Sequence, residues 1–436
     1  MAQYLRDVLN ERQKGILSGV PSFCTANDTV LRALIRNAKK KNRKILIEAT
    51  SNQVNQDLGY TGMNPFDFTN YLNTICDEFD FPRTDVIKGG DHLGPLPWSD
   101  LPAAEAMDKA EVLVRMCVQA GFKKIHLDAT MKLGDDPDEC LSDEVIATRS
   151  ARLYKACEEE YSKMKVINPQ EAHPVFVIGS EVPYAGGIRS NSESVLVTDP
   201  KDLEKTIQVF HKVFDEEKIE GAWKNIIAIV VQPGVDFGSN RLQQYDRSKS
   251  EVLCNELKKY PRLVFEGHST DFQPKECLKQ MVEDGIAILK VGPALTFALR
   301  EALFSLSFIE DYYYGENERS NFRKVIDEIM VSDPKYWNKY YFGSEHDKAI
   351  QRHYGLSDRC RYYYADATVN AAAKKLVENV STIDLPLGLI HQFLPNQYEK
   401  IVTGRLNPDV DSLICDHIID VVRNYEYATD FRYVSD

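Results

Sequence analysis

The stretch DVIKGGDHLGP at residues 85–95 joins a short apolar run, two glycines and an Asp-His pair. A β-branched run that ends in turn residues is typical of a buried parallel strand. The pair Asp91-His92 then falls at the carboxyl end of that strand. Because α/β proteins bind ligands at the carboxyl ends of their parallel strands, this segment indicates both a fold class and a candidate site.

Seven further runs share this design, each flanked by turn residues and followed by a segment of helical period. They are PSFCT (21–25), KILIEA (44–49), KIHLDA (124–129), VFVIGSE (175–181), IIAIVVQ (226–232), RLVFEG (262–267) and IAILKVG (286–292). Eight β/α units over about 300 residues predict an α/β protein with a (β/α)8 TIM barrel. An open doubly wound sheet is the alternative.

Polar residues close most of these strands, which favours the barrel. They are Asp91, His92, His126, Asp128, Glu181, Gln232, His268 and Lys290. Reactive residues of a barrel come from several strand ends and converge on one mouth. We therefore expect these side chains to form a single site.

Composition excludes several classes of protein. The chain has 436 residues and a formal charge of −13, whereas nucleic-acid binding needs a basic surface. No run of about 18 apolar residues predicts a membrane helix. The nine cysteines include no CxxC pair, which favours reduced thiols over a zinc site built on cysteine. We expect a cytoplasmic protein that does not bind nucleic acid or membranes.

Tyrosine marks a change in composition near residue 310. Of the 22 tyrosines, 14 lie between residues 312 and 436. We predict a barrel over residues 1–310, which carries the candidate site, and a Tyr-rich helical extension over residues 311–436. The extension accounts for the length beyond the roughly 250 residues of a typical barrel.

Three strand ends supply ligands of the kind that hold a catalytic metal. His92, His268 and Glu181 would form a His2Glu set with open positions, as in catalytic zinc centres. Asp91, beside His92, is a candidate acid/base. Each residue also has a structural alternative: a turn hydrogen bond for His92, a helix cap in the His268 turn, and a salt bridge for Glu181.

His126 and Asp128 alternate with Ile125 and Leu127, so they share one face of their strand. We predict a catalytic role for Asp128 and a supporting hydrogen bond for His126. Glycine turns at Gly186-Gly187, Gly267 and Gly292 resemble phosphate cradles made of backbone amides.

Longer motifs make the sequence specific. IEATSNQVNQDLGYTGMNPFDF, GGDHLGPLPW, VIGSEVPYAGG, AIVVQPGVDFG, GHSTDFQ, AILKVGPALTFALREALF and PLGLIHQFLPNQ together span nearly the whole chain. In these motifs the chain closely resembles the GatZ/KbaZ family, the accessory-type subunits of class II tagatose-1,6-bisphosphate aldolases. The resemblance implies a class II aldolase barrel in which His92 and His268 bind zinc and Asp91 is the catalytic acid/base. Glu181 departs from it, because catalytic aldolases have a histidine there.

The resemblance implies two functions, with an unrelated metal hydrolase as a third and weaker alternative. Some family members are hexulose-phosphate 4-epimerases, in which a retro-aldol step at C3–C4 and re-addition to the other aldehyde face interconvert fructose 6-phosphate and tagatose 6-phosphate. The family label instead implies a non-catalytic subunit that supports a separate aldolase chain. We expect a divalent metal, with Zn²⁺ as the first candidate, substrates among the ketohexose phosphates, and an oligomer.

Polar residues and glycines of the matching motifs and the strand ends are the predicted substrate contacts. They are Glu48, Asn52, Gln53, Asn55, Gly187, Gln232, Ser269, Asp271, Lys290, Gly292 and Arg300. Lys290 and Arg300 would make the site locally positive in an acidic chain. Arg359 and Arg361 are further candidates for phosphate binding, with surface ion pairs as the alternative.

Overall fold

A closed barrel of eight parallel strands forms the centre of the protein, in a computed structural model that describes residues 2–180 and 195–429. The barrel strands are β1 (Val20–Cys24), β2 (Ile45–Thr50), β3 (Val86–Leu93), β4 (Lys124–Leu127), β5 (Val175–Ile178), β6 (Ile226–Val231), β9 (Val264–Gly267) and β10 (Ile286–Val291); β7 (Asp236–Phe237) and β8 (Leu242–Gln243) pair separately. Closure is made by β1 on β10, with Phe23 opposite Val291. The predicted TIM barrel and its eight strands are confirmed, and the open sheet is excluded.

Helices alternate with the strands and then continue alone to the end of the described chain. They are α1 (Ala2–Gln13), α2 (Asp28–Lys41), α3 (Pro65–Glu78), α4 (Ala103–Gln119), α5 (Asp143–Ile167), α6 (Pro200–Glu216), α7 (Arg247–Glu256), α8 (Lys275–Glu283), α9 (Pro293–Tyr313), α10 (Phe322–Ser332), α11 (Glu345–Tyr354), α12 (Ala367–Ser381), α13 (Leu387–Phe393), α14 (Pro395–Val402) and α15 (Val410–Thr429). None of the helices in these described ranges is long and apolar enough to cross a membrane.

Local signals in the sequence fix several helix starts. The Asn64 side chain accepts hydrogen bonds from the amides of Phe66 and Asp67, and Pro65 occupies the first turn of α3. Proline likewise opens α9 at Pro293. Proline suits these positions because the first turn leaves its amides without a partner in the helix. The starts of α3 and α9 therefore follow from local sequence signals.

The two ends of the barrel differ in chemistry. At the amino end of the strands, Leu5 and Val8 of α1 pack against buried apolar residues such as Val20, Leu46 and Ile87. That end is closed by hydrophobic contact, which removes apolar surface from water. The carboxyl end is lined by polar side chains and holds the candidate site.

The helices after the barrel pack back onto it. α15 lies against α2, α8 and α9, and the Tyr425 hydroxyl donates a hydrogen bond to the carbonyl of Thr270 at 2.8 Å. Helix α9 runs without a break to Tyr313, so the barrel leads into the C-terminal helices through one continuous element. The division at residues 310 and 311 into two domains stays a prediction.

Gly94 directly follows β3 and lies against the backbone of Asp128, which directly follows β4, so it offers a direct test of this packing. A Cβ added there would lie 1.7 Å from the backbone oxygen of Asp128. We expect Gly94→Ala to lower the free energy of unfolding by about 1–3 kcal/mol or more, because backbone must move to admit the methyl group. Urea unfolding followed by circular dichroism measures the change. Gly388→Ala is the matched control, since no atom lies within 4 Å of its added Cβ; equal stability of the two variants would contradict this packing.

Candidate metal centre and sugar-phosphate site

An irregularity in β3 directs the Asp91-His92 pair into the barrel mouth. The register of β3 against β4 shifts between Gly90 and Leu93. His92 there has a φ of +48°, a left-handed conformation that is unusual for a residue with a side chain. Such bulges change the direction of side chains next to functional sites. As a result, Asp91 and His92 both line the cavity at the mouth.

Three imidazoles meet beside Asp91. The ring centroids of His92, His126 and His268 lie 4.8–5.1 Å apart. Together with an oxygen of Asp91, they offer ligand atoms that all lie within 4.8 Å of one another, and all four residues are buried. Imidazole and carboxylate are common ligands of divalent transition metals. The cluster is therefore compatible with a metal site.

Two of the imidazoles are held in place by buried carboxylates. Nδ1 of His92 lies 2.7 Å from Asp128, and Nε2 of His268 lies 3.0 Å from Glu266. Each carboxylate takes one ring N–H, which leaves Nε2 of His92 and Nδ1 of His268 as the nitrogens with a lone pair. Carboxylate–histidine pairs of this kind orient metal ligands in proteins. Asp128 thus contacts a predicted ligand and does not itself line the cavity.

Burial and charge set the protonation of the cluster. Burial lowers the pKa of His268 to about 3, against the opposing hydrogen bond to Glu266, so this ring is neutral. Burial would also lower the pKa of His92, but the charges of Asp91 and Asp128 raise it. The pKa of Asp91 lies well below its ordinary value, because His92 and Lys290 outweigh the effect of burial. Asp91 is therefore ionised.

Below the histidines lies a buried network of charges. Lys124 lies 2.8 Å from Glu48 and 2.6 Å from Glu266, and all three are fully buried. Lys290 lies 2.8 Å from Glu48 and 2.6 Å from Asp91. Gly89 makes room for the Glu48 side chain of this network, because a Cβ at Gly89 would lie 2.7 Å from Cγ of Glu48.

The charge balance of this network tests whether a cation fits. Four buried carboxylates, those of Glu48, Asp91, Asp128 and Glu266, face two buried ammonium groups, those of Lys124 and Lys290. The carboxylates outnumber the ammonium groups by two, and protonated His92, whose pKa is raised by Asp91 and Asp128, offsets only one of these charges. Buried charge is costly unless it is paired. A divalent cation would supply the missing charge, so the donor set fits such a group.

His126 makes contacts beyond the supporting hydrogen bond that was predicted for it. Its Nδ1 lies 3.1 Å from the amide of His92 and 3.2 Å from Asp91, in keeping with the supporting role. Its other nitrogen, Nε2, is buried without a hydrogen-bond partner among the described residues. His126 is a third candidate ligand in the tautomer whose Nδ1–H donates to Asp91, because Nε2 then carries the lone pair. Glu181, the carboxylate of the predicted His2Glu set, lies outside the described residues.

The cavity at the mouth is small, with a volume of about 80 Å³ for the centres of water-sized spheres. Six of the predicted substrate contacts line it: Asn52, Gln53, Ser269, Asp271, Lys290 and Gly292. Glu48 lies beneath it in the charge network, so it does not contact a ligand in the cavity. Gly187 and its neighbour Gly186 lie outside the described residues.

Three predicted substrate contacts are placed elsewhere. Asn55 accepts hydrogen bonds from the amides of Asp57 and Gly59, and Gln232 accepts them from the amides of Gly234 and Val235. Both side chains shape the loops that carry them and do not reach the cavity. Arg300 lies 3.3 Å from Asp358 and 4.1 Å from the ring centre of Phe297, away from the cavity lining. We therefore assign no substrate contact to these three residues.

The predicted phosphate cradle at Gly292 is already filled. The amides of Gly292 and Ala294 donate hydrogen bonds to Asp271 at 3.0 and 2.8 Å. Burial raises the pKa of Asp271 to about 6, although these amides stabilise its charged form. The helix start therefore binds a carboxylate of the protein itself. Gly267 is no cradle either, because it lies inside β9, where a Cβ would lie 2.7 Å from Ile286.

Sequence reasoning missed Lys124 and Glu266. Each sits in a short apolar strand, KIHL and VFEG, at a position that faces the barrel interior. A charged residue on the interior face of a barrel strand was the available signal, because such a residue needs a buried partner. Tyr60 and Tyr362 also line the cavity, and neither was predicted to do so.

Metal binding is the first property to measure. We expect the protein to bind one Co²⁺ per chain, with a visible absorption band, and to lose it to a chelator. His92→Ala and His268→Ala should abolish the band, and Asp128→Asn should weaken binding about 10- to 100-fold, because Asp128 orients His92. His346→Ala, on the exposed start of α11, is the control. Unchanged Co²⁺ binding by both cluster variants would refute this site.

Comparison with known proteins identifies the family of the chain. Residues 5–430 match the family of D-tagatose-1,6-bisphosphate aldolase subunit GatZ/KbaZ-like proteins. A probable tagatose 6 phosphate kinase from Sinorhizobium meliloti 1021 is 39% identical over 94% of this chain and all of its own, with a TM-score of 0.85. The YdjI aldolase from Escherichia coli K12 is 11% identical over 83% of this chain and 95% of its own, with a TM-score of 0.41, a likeness that carries no information about the site. The chain belongs to the GatZ/KbaZ-like family, and with it to the carbohydrate metabolism related to D-tagatose-1,6-bisphosphate aldolase.

Proposed function

We propose that the protein is a metal-dependent ketohexose-phosphate enzyme that acts at C3–C4 and interconverts fructose 6-phosphate and tagatose 6-phosphate. One observation carries the proposal: the ionised carboxylate of Asp91 and three buried imidazoles occupy one cluster at the barrel mouth. A base beside a candidate metal centre is what the cleavage of a β-hydroxy ketone requires.

Asp91 would move the proton in each half of the reaction. It takes the proton of the C4 hydroxyl, C4 becomes an aldehyde, and the electrons of the C3–C4 bond pass to the three-carbon enediolate. After the aldehyde turns, C3 adds to its other face and Asp91 returns the proton to the C4 oxygen. The configuration at C4 is then inverted, and all atoms are retained.

His92, His126 and His268 are the described residues that would hold the cation. When bound, a divalent cation supplies Lewis acidity, which lowers the pKa of the hydroxyl and stabilises negative charge on oxygen. Asp128 and Glu266 keep the rings of His92 and His268 oriented for this role. Glu181 stays a predicted ligand.

Lys290 supports this route over an imine route. Its Nζ lies 2.6 Å from Asp91, and the nearby carboxylates raise its pKa well above the ordinary value despite burial. It therefore stays an ammonium group and is not a nucleophile for the substrate ketone. Its charge instead keeps Asp91 ionised and ready to accept a proton.

Turnover is measured with fructose 6-phosphate and a series of divalent metals, without ATP. We expect tagatose 6-phosphate as product, and a loss of about 10²- to 10⁴-fold in kcat for Asp91→Asn, the range for a general base. His346→Ala is the control. Since the 39% identical relative bears the name of a kinase, a parallel reaction contains ATP. Product that forms only with ATP, or no turnover with any metal, would overturn the proposal.

The same assay in D2O separates retro-aldol cleavage from proton abstraction at carbon. We expect tagatose 6-phosphate without deuterium at C4, because the C4–H bond stays intact while C3–C4 breaks. Deuterium at C4, detected by nuclear magnetic resonance, would exclude the mechanism and leave the epimerase activity standing.

A second function rests on the family, whose members are described as aldolase subunits. In this case the protein would support a separate class II aldolase chain. We expect co-expression to raise the activity or the melting temperature of such an aldolase, and His92→Ala to leave the effect intact, because support needs the folded surface only. If co-expression changes neither property, the subunit function fails.

A further inference from the structure

A turn of the C-terminal helices brings an arginine to the mouth of the site. Residues Arg359–Tyr363 form a 3-10 turn between α11 and α12, and Arg361 of this turn lines the cavity together with His92 and Lys290. Lys290 is already paired with three carboxylates. The Arg361 guanidinium has no carboxylate within 4 Å among the residues that the structure describes.

Arg361 is nevertheless held firmly. Nη1 donates hydrogen bonds to the carbonyls of Ser357 and Asp358, the latter at 2.9 Å, and Nη2 donates to the Tyr362 hydroxyl at 3.1 Å. A guanidinium has five N–H groups. Two therefore remain without an acceptor in residues 2–180 and 195–429. A fixed cation with unused donors is suited to an oxyanion.

Tyr362 adds a further donor. Its hydroxyl accepts hydrogen bonds from Arg359 at 3.3 Å and from Arg361. Because the oxygen is the acceptor in both bonds, its own proton is left to donate. The ring is fixed between Tyr60 and Tyr336, whose centroids lie 4.6 and 4.7 Å away. Tyr362 thus presents its hydroxyl from a rigid position on the cavity wall.

The barrel fixes the position of this turn through Asp358. Its carboxylate accepts a hydrogen bond from Thr296 at 2.7 Å and pairs with Arg300 at 3.3 Å, both on α9. The carbonyl of the same residue accepts the bond from Arg361. Arg300 is therefore a positioning residue, which acts on the site through Asp358.

We propose that Arg361 and Tyr362 bind the phosphate group of the sugar, so that this turn selects phosphorylated ketohexoses over neutral ones. The inference rests on the proposed function for the identity of the sugar. It draws support from the Gly292 and Ala294 amides, which are occupied by Asp271 and are not available to a phosphate. It also supplies the local positive charge that an acidic chain needs to bind an anion.

Two measurements test the role of Arg361. In turnover, Arg361→Ala should raise KM for fructose 6-phosphate about 10- to 100-fold, the range for charge-assisted hydrogen bonds, with little change in kcat. The kcat/KM for unphosphorylated fructose should stay within about twofold. The KM of Arg361→Lys for fructose 6-phosphate should lie between those of wild type and Arg361→Ala. Tyr362→Phe should raise this KM less than Arg361→Ala does. Arg405→Ala, an exposed arginine of the same helical region, is the control.

Binding is measured separately by calorimetry with glucitol 6-phosphate and glucitol, which cannot undergo cleavage. We expect wild type to prefer the phosphate ester and Arg361→Ala to lose that preference, with its melting temperature unchanged. This binding result would support the inference even without turnover. The absence of turnover would refute only the proposed function. The inference about Arg361 would be overturned if wild type and Arg361→Ala bound the phosphate ester with equal affinity. It would also be overturned if wild type did not prefer glucitol 6-phosphate over glucitol. If Arg361→Ala fails to fold, the same affinities are measured for Arg361→Lys and Tyr362→Phe. Each of these variants should then show a weaker preference for the phosphate ester than wild type.

Discussion

Ion pairing in the middle of the barrel is the constraint on which the rest of the site depends. Lys124 is fully buried between Glu48 and Glu266, so the strands β2, β4 and β9 are joined by charge as well as by backbone hydrogen bonds. Slippage of a strand by one residue would turn its charged side chain outward and leave its partners unpaired. An unpaired buried charge costs about 3–5 kcal/mol. The network therefore specifies the register that brings the histidines together.

The same carboxylates connect this network to the chemistry. Glu266 pairs with Lys124 through one oxygen and holds His268 through the other. Asp91 contacts Lys290 and faces the imidazoles. Because each group has two partners, the protonation of the site is set by the barrel interior rather than by solvent. This explains why Asp91 is ionised despite its burial, whereas burial itself keeps His268 neutral.

The sequence allowed the fold and the strand-end residues to be predicted, because both depend on local patterns. Apolar runs followed by polar residues identified eight strands and the positions of His92 and His268. The sequence did not reveal which polar side chains reach the cavity. Asn55 and Gln232 lie near strand ends, yet they bind amides of their own loops, and Arg300 on α9 pairs with Asp358. Nor could the sequence show that Asp271 occupies the amides of Gly292 and Ala294. These outcomes depend on distances between segments far apart in the chain.

The charge arrangement also bears on the choice between enzyme and supporting subunit. A barrel needed only to present a surface would be as stable with apolar side chains in place of Lys124, Glu48 and Glu266, since buried ion pairs are often replaced without loss of stability. Such a barrel would have no use for an imidazole nitrogen buried without a partner, as Nε2 of His126 is. Nor would it need Arg361, fixed from α9 through Asp358, to face the same cavity. Buried groups that carry a cost and converge on one cavity are explained by a ligand, and this favours the enzyme.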